Sequence, residues 1–190
     1  MRSKLVLAAL FFLSTLPVFG QVAPAARVSG IPLGVGAGFT DYDLDYGQGR
    51  RMFGVSAWAD YRIYRGLGIE IEGTTILGGK PSSLSRMRQD TIKGGVTYKY
   101  HQIFHVRPYG KFLYGLGSID FPSRNPLYTH DTYSLWAAGG GLEYRLIRPV
   151  YLRADYEFQS WLDYRGNHTL NPNGFTIGAT YYLPGARRGR

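Results

Sequence analysis

The sequence predicts an all-β chain that closes as an eight-stranded antiparallel up-and-down transmembrane β-barrel, and three observations carry that prediction. Through Gly141–Gln159, "GLEYRLIRPVYLRADYEFQ", charged and large apolar residues take turns almost without a slip. The candidate strands are long, near the 9 to 11 residues that a tilted membrane-crossing strand needs, whereas strands of soluble proteins usually run near 5 or 6. Their connections alternate between short and long, as in bacterial transmembrane barrels. Side chains on a strand point to its two faces in turn, so period-two patterning makes one greasy face and one charged face.

In chain order, residues 1–20 read as a secretory signal, with Arg2 and Lys4, an apolar run from Leu5 to Leu16, Pro17, and small residues ending at Gly20. The run is shorter than the roughly 20 residues of a spanning helix. Residues 21–30 form a polar leader, 31–183 the barrel domain, and 184–190 a basic tail. Strands are predicted at 31–42, 51–64, 67–77, 89–101, 106–119, 132–146, 150–161 and 172–183. Short turns follow the second, fourth and sixth. Breaker-rich segments such as "GGKPSSLSR" and "DFPSRNP" follow the odd-numbered strands. In lipid every backbone amide must find a partner, so a sheet with these faces has to close on itself. An even strand number then brings both chain ends to one side, expected to be the periplasm.

Composition agrees with strands and turns: 15% of residues are aromatic, with 16 Tyr and 26 Gly among 190 residues. Without cysteine there is no disulfide framework, thiolate metal site or lipid-attachment cysteine. The formal net charge of +9 falls largely in loops and the "GARRGR" tail, which suits solvation or anionic headgroups better than nucleic acid.

With the apolar register turned outward, the inward register carries an interior charge network. It consists of Asp60 and Arg62; Glu70 and Glu72; Lys93 and Lys99; Arg107 and Lys111; Glu143 and Arg145; and Arg153, Asp155 and Glu157. Buried charges are tolerable when paired and hydrogen-bonded. An eight-stranded barrel is just wide enough for side chains to fill, so an open aqueous pore is not expected. Inward glycines, including Gly34, Gly36, Gly38 and Gly117, leave room for long side chains and for Trp58. The spacing at Gly34–Gly38 is not taken as a nucleotide loop, because no helix follows. Outward tyrosines end the even strands: Tyr61, Tyr98 with Tyr100, Tyr144 and Tyr181. Tyrosine has an apolar ring and a polar tip, so Tyr61, Tyr100, Tyr144 and Tyr181 are expected as membrane-interface aromatics. Phe39, Phe53, Phe158 and Phe175 are expected in the opposite girdle.

Three stretches, "RPYGKFLYGLGSIDFP" from Arg107, "GGGLEYRLIRPVYLRADYEFQSW" from Gly139 and "LNPNGFTIGATYYL" from Leu170, resemble the outer-membrane β-barrel domain family, which groups OmpA-like, OmpX-like and opacity-type small barrels. The resemblance implies a barrel in the bacterial outer membrane and brings no catalytic residues with it. It differs at the end: Gly178, Tyr181 and Leu183 are similar to the terminal insertion signal, but Pro184–Arg190 follow, so the signal would be internal.

The function expected is that of a small structural or surface-interacting outer-membrane protein, not an enzyme and without cofactor or metal. Its partners are expected to be outer-membrane lipid and, during biogenesis, the barrel-insertion machinery. It is expected to be a monomer that binds no nucleic acid, with any extracellular ligand unspecified. An exported lipocalin-like carrier shows the same alternation with the apolar register inside, and stands as the alternative. A lipid A-modifying enzyme is the lesser one: His168 and Thr169 precede the last strand, but beyond Ser160 and Asp163 no nucleophile accompanies them. His101, His105 and His168 lack the clustered partners of a metal site. The Tyr42, Asp43, Asp45 and Tyr46 cluster reads as solvated loop.

Overall fold

The computed structural model describes residues 33–45, 51–77, 88–120, 130–164 and 168–183. The expected signal, leader and tail lie outside these residues, as does Tyr46. The strands are β1 (Leu33–Asp43), β2 (Arg51–Tyr64), β3 (Leu67–Leu77), β4 (Arg88–Lys99), β5 (Val106–Asp120), β6 (His130–Ile147), β7 (Val150–Tyr164), β8 (His168–Leu170) and β9 (Asn173–Tyr182). Each of β1 to β6 pairs with its sequence neighbour, β6 pairs with β7, and β9 lies between β7 and β1, all antiparallel. Eight staves therefore close a ring. β8, which the sequence did not predict, is a short strip laid on β7 through Trp161↔Leu170 and Tyr164↔His168.

The short turns explain the register. Arg65 and Gly66 both have positive φ, 40° and 96°, the geometry of a two-residue hairpin whose twist matches its strands. The Lys99 amide donates to the Gly66 carbonyl at 2.8 Å, tying that turn to the next stave. Arg148 and Pro149 connect β6 to β7. At this same end the Leu183 amide donates to the Leu33 carbonyl at 2.9 Å, so the first and last staves start and finish together. This is the turn end of the barrel, and the opposite one is the loop end.

Alternation decides which face is which. Phe39, Phe53, Ile92 and Ile177 are 78%, 70%, 62% and 67% exposed, while Glu143 and Glu157 are 0% exposed. The apolar register faces out and the charged register faces the barrel axis. A soluble carrier needs the reverse, so the lipocalin-like alternative is not favoured. The outer wall is bounded by charge: Arg51 pairs with Asp41 at 3.0 Å and Arg88 with Asp90 at 2.8 Å near the loop end. From Phe53 to Ile63, the first and last apolar residues on the outward register of β2, the strand advances roughly 33 Å at about 3.3 Å per residue. At a tilt of about 40° this is roughly 25 Å of height, matching an apolar band of about 25 Å.

Candidate functional site

The lumen is built in tiers. Nearest the turn end, Lys99 from β4 donates to Glu143 Oε1 at 2.8 Å and to the Tyr182 hydroxyl at 2.6 Å, and lies 2.8 Å from Asp60 Oδ1. Arg107 Nε donates to Glu143 Oε2 at 2.9 Å, and its Nη2 bonds the same oxygen and, at 2.8 Å, the Tyr182 hydroxyl. Two carboxylates and two cations from β2, β4, β5 and β6 are thus tied together by a tyrosine from β9.

Above them Arg153 holds Glu70 with both terminal nitrogens at 2.8 and 2.9 Å, and its Nε donates to Asp155 Oδ2 at 2.8 Å. Its guanidinium carbon lies 4.4 Å from the Trp58 ring centre and 4.8 Å from that of Tyr109, so two aromatic rings pack against the cation. Next to it Glu72, Lys93, Glu157 and Lys111 form a closed square of alternating charge. Lys93 is 2.9 Å from Glu72 and bonds Glu157, while Lys111 is 2.6 Å from Glu72 and 2.8 Å from Glu157. Lys111 also lies 3.3 Å from Asp155 and so links the square to the Arg153 group.

Among the described residues the buried lumen charges are six carboxylates and five cations. Neutral donors support the acidic side: the Tyr42 hydroxyl on Glu157 at 2.8 Å, the Tyr109 hydroxyl on Asp155 at 2.6 Å, and Gln159 Nε2 on Glu157 at 2.8 Å. Removing ions from water costs far more than any one contact returns, so a lattice in which each ion has several partners is what allows them to be enclosed.

Two residues expected in this network stand apart. Arg62 and Arg145 are half-buried, and neither forms an ion pair among the described residues. Both occupy the inward register, but each adjoins a register break, between Arg62 and Tyr64 and between Arg145 and Ile147. Each lies where the lumen opens at the turn end, beyond the last buried carboxylate of its strand. Tyr42, expected in a solvated loop, is instead 1% exposed inside the lumen.

The loop-end tier is apolar, which the sequence reading did not anticipate. Leu113, Ile119, Leu135, Ala137, Trp161 and Leu170 form one buried cluster, and Tyr42, Leu44, Met52 and Ile76 a second. β8 matters here because it brings Leu170 into the first cluster. Gly117 makes room for Trp161, whose ring would lie 2.1 Å from a Cβ at that position, and the indole Nε1 donates to Gln159 at 2.9 Å. Gln89 and Thr91 lie buried beside this tier without a hydrogen-bond partner among the described residues. The signal for this tier was present: "FLYGLG" and "LWAAG" carry no charged residue on either register, where the rest of each strand alternates.

Outside, Tyr61, Tyr100, Tyr144 and Tyr181 are 41%, 48%, 46% and 43% exposed, all toward the turn end. Phe39, Phe53, Phe158 and Phe175 stand on the outer wall toward the loop end. His168 is exposed on β8, whereas Ser160 is buried in β7, and His101 and His105 lie in the β4–β5 turn. Among the described residues no cluster of three or more His, Cys, Asp or Glu is placed to hold a metal.

A closed ring of staves, greasy outside and ionic within, defines a transmembrane β-barrel of the small eight-stranded class. Residues 6–182 match the outer membrane protein beta-barrel domain family, and the chain belongs to it, a family of the bacterial outer membrane. Similar solved structures share that architecture. Neisserial surface protein A aligns at 18% identity with a TM-score of 0.62, covering 82% of this chain and 99% of that one. Ail, the attachment invasion locus protein of Yersinia pestis, aligns at 14% identity with a TM-score of 0.56, covering 81% and 99%. OprG of Pseudomonas aeruginosa aligns at 14% identity with a TM-score of 0.51, covering 83% and 98%. At these identities the likeness is one of fold. No curated protein sequence matches the chain.

Proposed function

We propose that this chain is a non-enzymatic, non-conducting structural and surface-interaction protein of the outer membrane. It is exported by residues 1–20, inserted as a monomer by the barrel-insertion machinery, and held by outer-membrane lipid with its longer loops outward. Tyr61, Tyr100, Tyr144 and Tyr181 act as interface anchors at the turn end, and the lumen charges act as a structural filling. The observation that carries the reading is the Glu72–Lys93–Glu157–Lys111 square across the barrel axis, backed by the apolar tier above it. An ion would have to break this lattice and then cross a layer with little to solvate it.

Two measurements test it. Purified protein folded into planar bilayers is expected to show no steady unitary current. A reproducible open level from the wild type would overturn the filled-lumen reading. On intact cells, trypsin is expected to cut after Arg86 or Arg124, in the connections after β3 and β5. Cleavage seen only after the outer membrane is opened would overturn the orientation.

A further inference from the structure

The turn end carries a surface that the lumen does not account for. Arg62 ends the inward register of β2 and Arg65 lies in the β2–β3 turn, and Arg145 and Arg148 stand likewise at the β6–β7 turn. In stave order β2–β3 and β6–β7 are separated by β4 and β5 on one side and by β9 and β1 on the other, so the two arginine pairs stand across the barrel from each other. None of the four forms an ion pair among the described residues. The nearest acids along these strands, Asp60 and Glu143, are buried and already engaged by Lys99 and Arg107. The turns themselves, 62–67, 100–106 and 145–150, contain no Asp or Glu. This end therefore presents unpaired positive charge at two opposite points of its rim, among the described residues.

The same turns are greasy. Ile63 is 58% exposed, Phe104 90% and Ile147 63%, and the Arg65 guanidinium lies 5.1 Å from the centre of the Tyr64 ring. Arginines set among exposed aromatic and aliphatic side chains fit a boundary where hydrocarbon meets anionic headgroups. They fit a purely aqueous acidic polymer poorly, because the apolar tips would remain in water.

We propose that the turn end is a binding ring for anionic phospholipid headgroups, with Arg62, Arg65, Arg145 and Arg148 as its phosphate-binding residues. The inference rests on the membrane reading above, and it commits to the lipid leaflet that the turns meet. Each arginine offers a planar set of donors to a phosphodiester while its methylenes lie along neighbouring apolar side chains. The attraction is electrostatic and, at Arg65 and Arg148, exposed, so salt screens it.

The test is to fold the full chain into phosphatidylcholine vesicles, without and with phosphatidylglycerol, and to measure the selectivity of its lipid shell with spin-labelled lipids. The wild type is expected to prefer phosphatidylglycerol over phosphatidylcholine by about threefold at low salt, with most of the preference lost at about 0.5 M salt. R62Q/R65Q/R145Q/R148Q is expected to lose more than half of it. R65Q/R148Q, confined to exposed turn positions, is expected to lose a smaller part and guards against misfolding of the fourfold variant. Equal selectivity in wild type and R65Q/R148Q, or no selectivity in wild type, would overturn the ring. So would arginine-dependent sedimentation with purified peptidoglycan in the absence of lipid selectivity, which would assign the surface to an acidic wall polymer. Heat-modifiable migration after folding into phosphatidylcholine alone reports on the barrel separately, so a failed ring and a failed membrane reading give different results.

Discussion

Arg153 shows how one side chain organises the middle of the lumen, with Glu70 and Asp155 at its nitrogens and the rings of Trp58 and Tyr109 packed against it. Replacing it with Met leaves two enclosed carboxylates without their main counter-charge, and removal of one partner from a buried pair costs about 3–5 kcal/mol. R153M is therefore expected to unfold at clearly lower urea than the wild type when titrated out of lipid vesicles. R153M/E70Q is expected to regain part of the loss, because one stranded charge is gone. An R153M midpoint equal to that of the wild type would show that water reaches these groups. Gly117 makes a second residue-scale case. A methyl there meets the Trp161 ring, so G117A is expected to cost about 1–3 kcal/mol by overpacking. In G117A/W161F the two losses should sum to less than their separate values. Strict additivity in the same urea titration would mean that the ring does not occupy the space beside Gly117.

Among the elements, strands tell the two faces apart by position along their length. Ile71 on β3 faces out within the apolar band, and Tyr64 lies at the turn end of β2. Arginine in mid-membrane costs about 2–4 kcal/mol and about 0–1 near the interface. I71R is expected to lower the unfolding midpoint strongly and Y64R barely; similar losses for both would misplace the band. Element by element, the eight staves and their facing were legible in the sequence because period-two alternation is a strong signal over 10 or more residues. The apolar loop-end tier was harder to see, since Leu113, Leu135 and Ala137 occupy the charged register and look like slips in the pattern. β8 was too short to show any periodicity. Extending the alternation to the strand ends gives the facing of Arg62 and Arg145 but not their pairing: both keep the inward register where the lumen opens, and neither has an ion-pair partner among the described residues. The ion pairs themselves depend on contacts across the barrel, such as Glu70 with Arg153, which no local pattern encodes.

At the scale of the whole molecule, closure makes the strands viable in lipid. A chain ending before Asn173 would lack β9 and leave β1 and β7 with unpaired edges, so it is expected to show no heat-modifiable band after incubation with lipid vesicles. A folded band from that truncation would mean that β1 and β7 can join directly. The two staves that complete the ring differ from the rest in what they turn inward. β1 contributes Gly34, Gly36, Gly38, Thr40 and Tyr42, and β9 contributes Gly174, Thr176, Gly178, Thr180 and Tyr182. Among the described residues all the enclosed ions come from β2 to β7. The joint where the chain's beginning meets its end is therefore slim and electrically quiet. Zipping it shut desolvates hydroxyls and bare backbone, and neither of its strands brings an enclosed ion to the last seam.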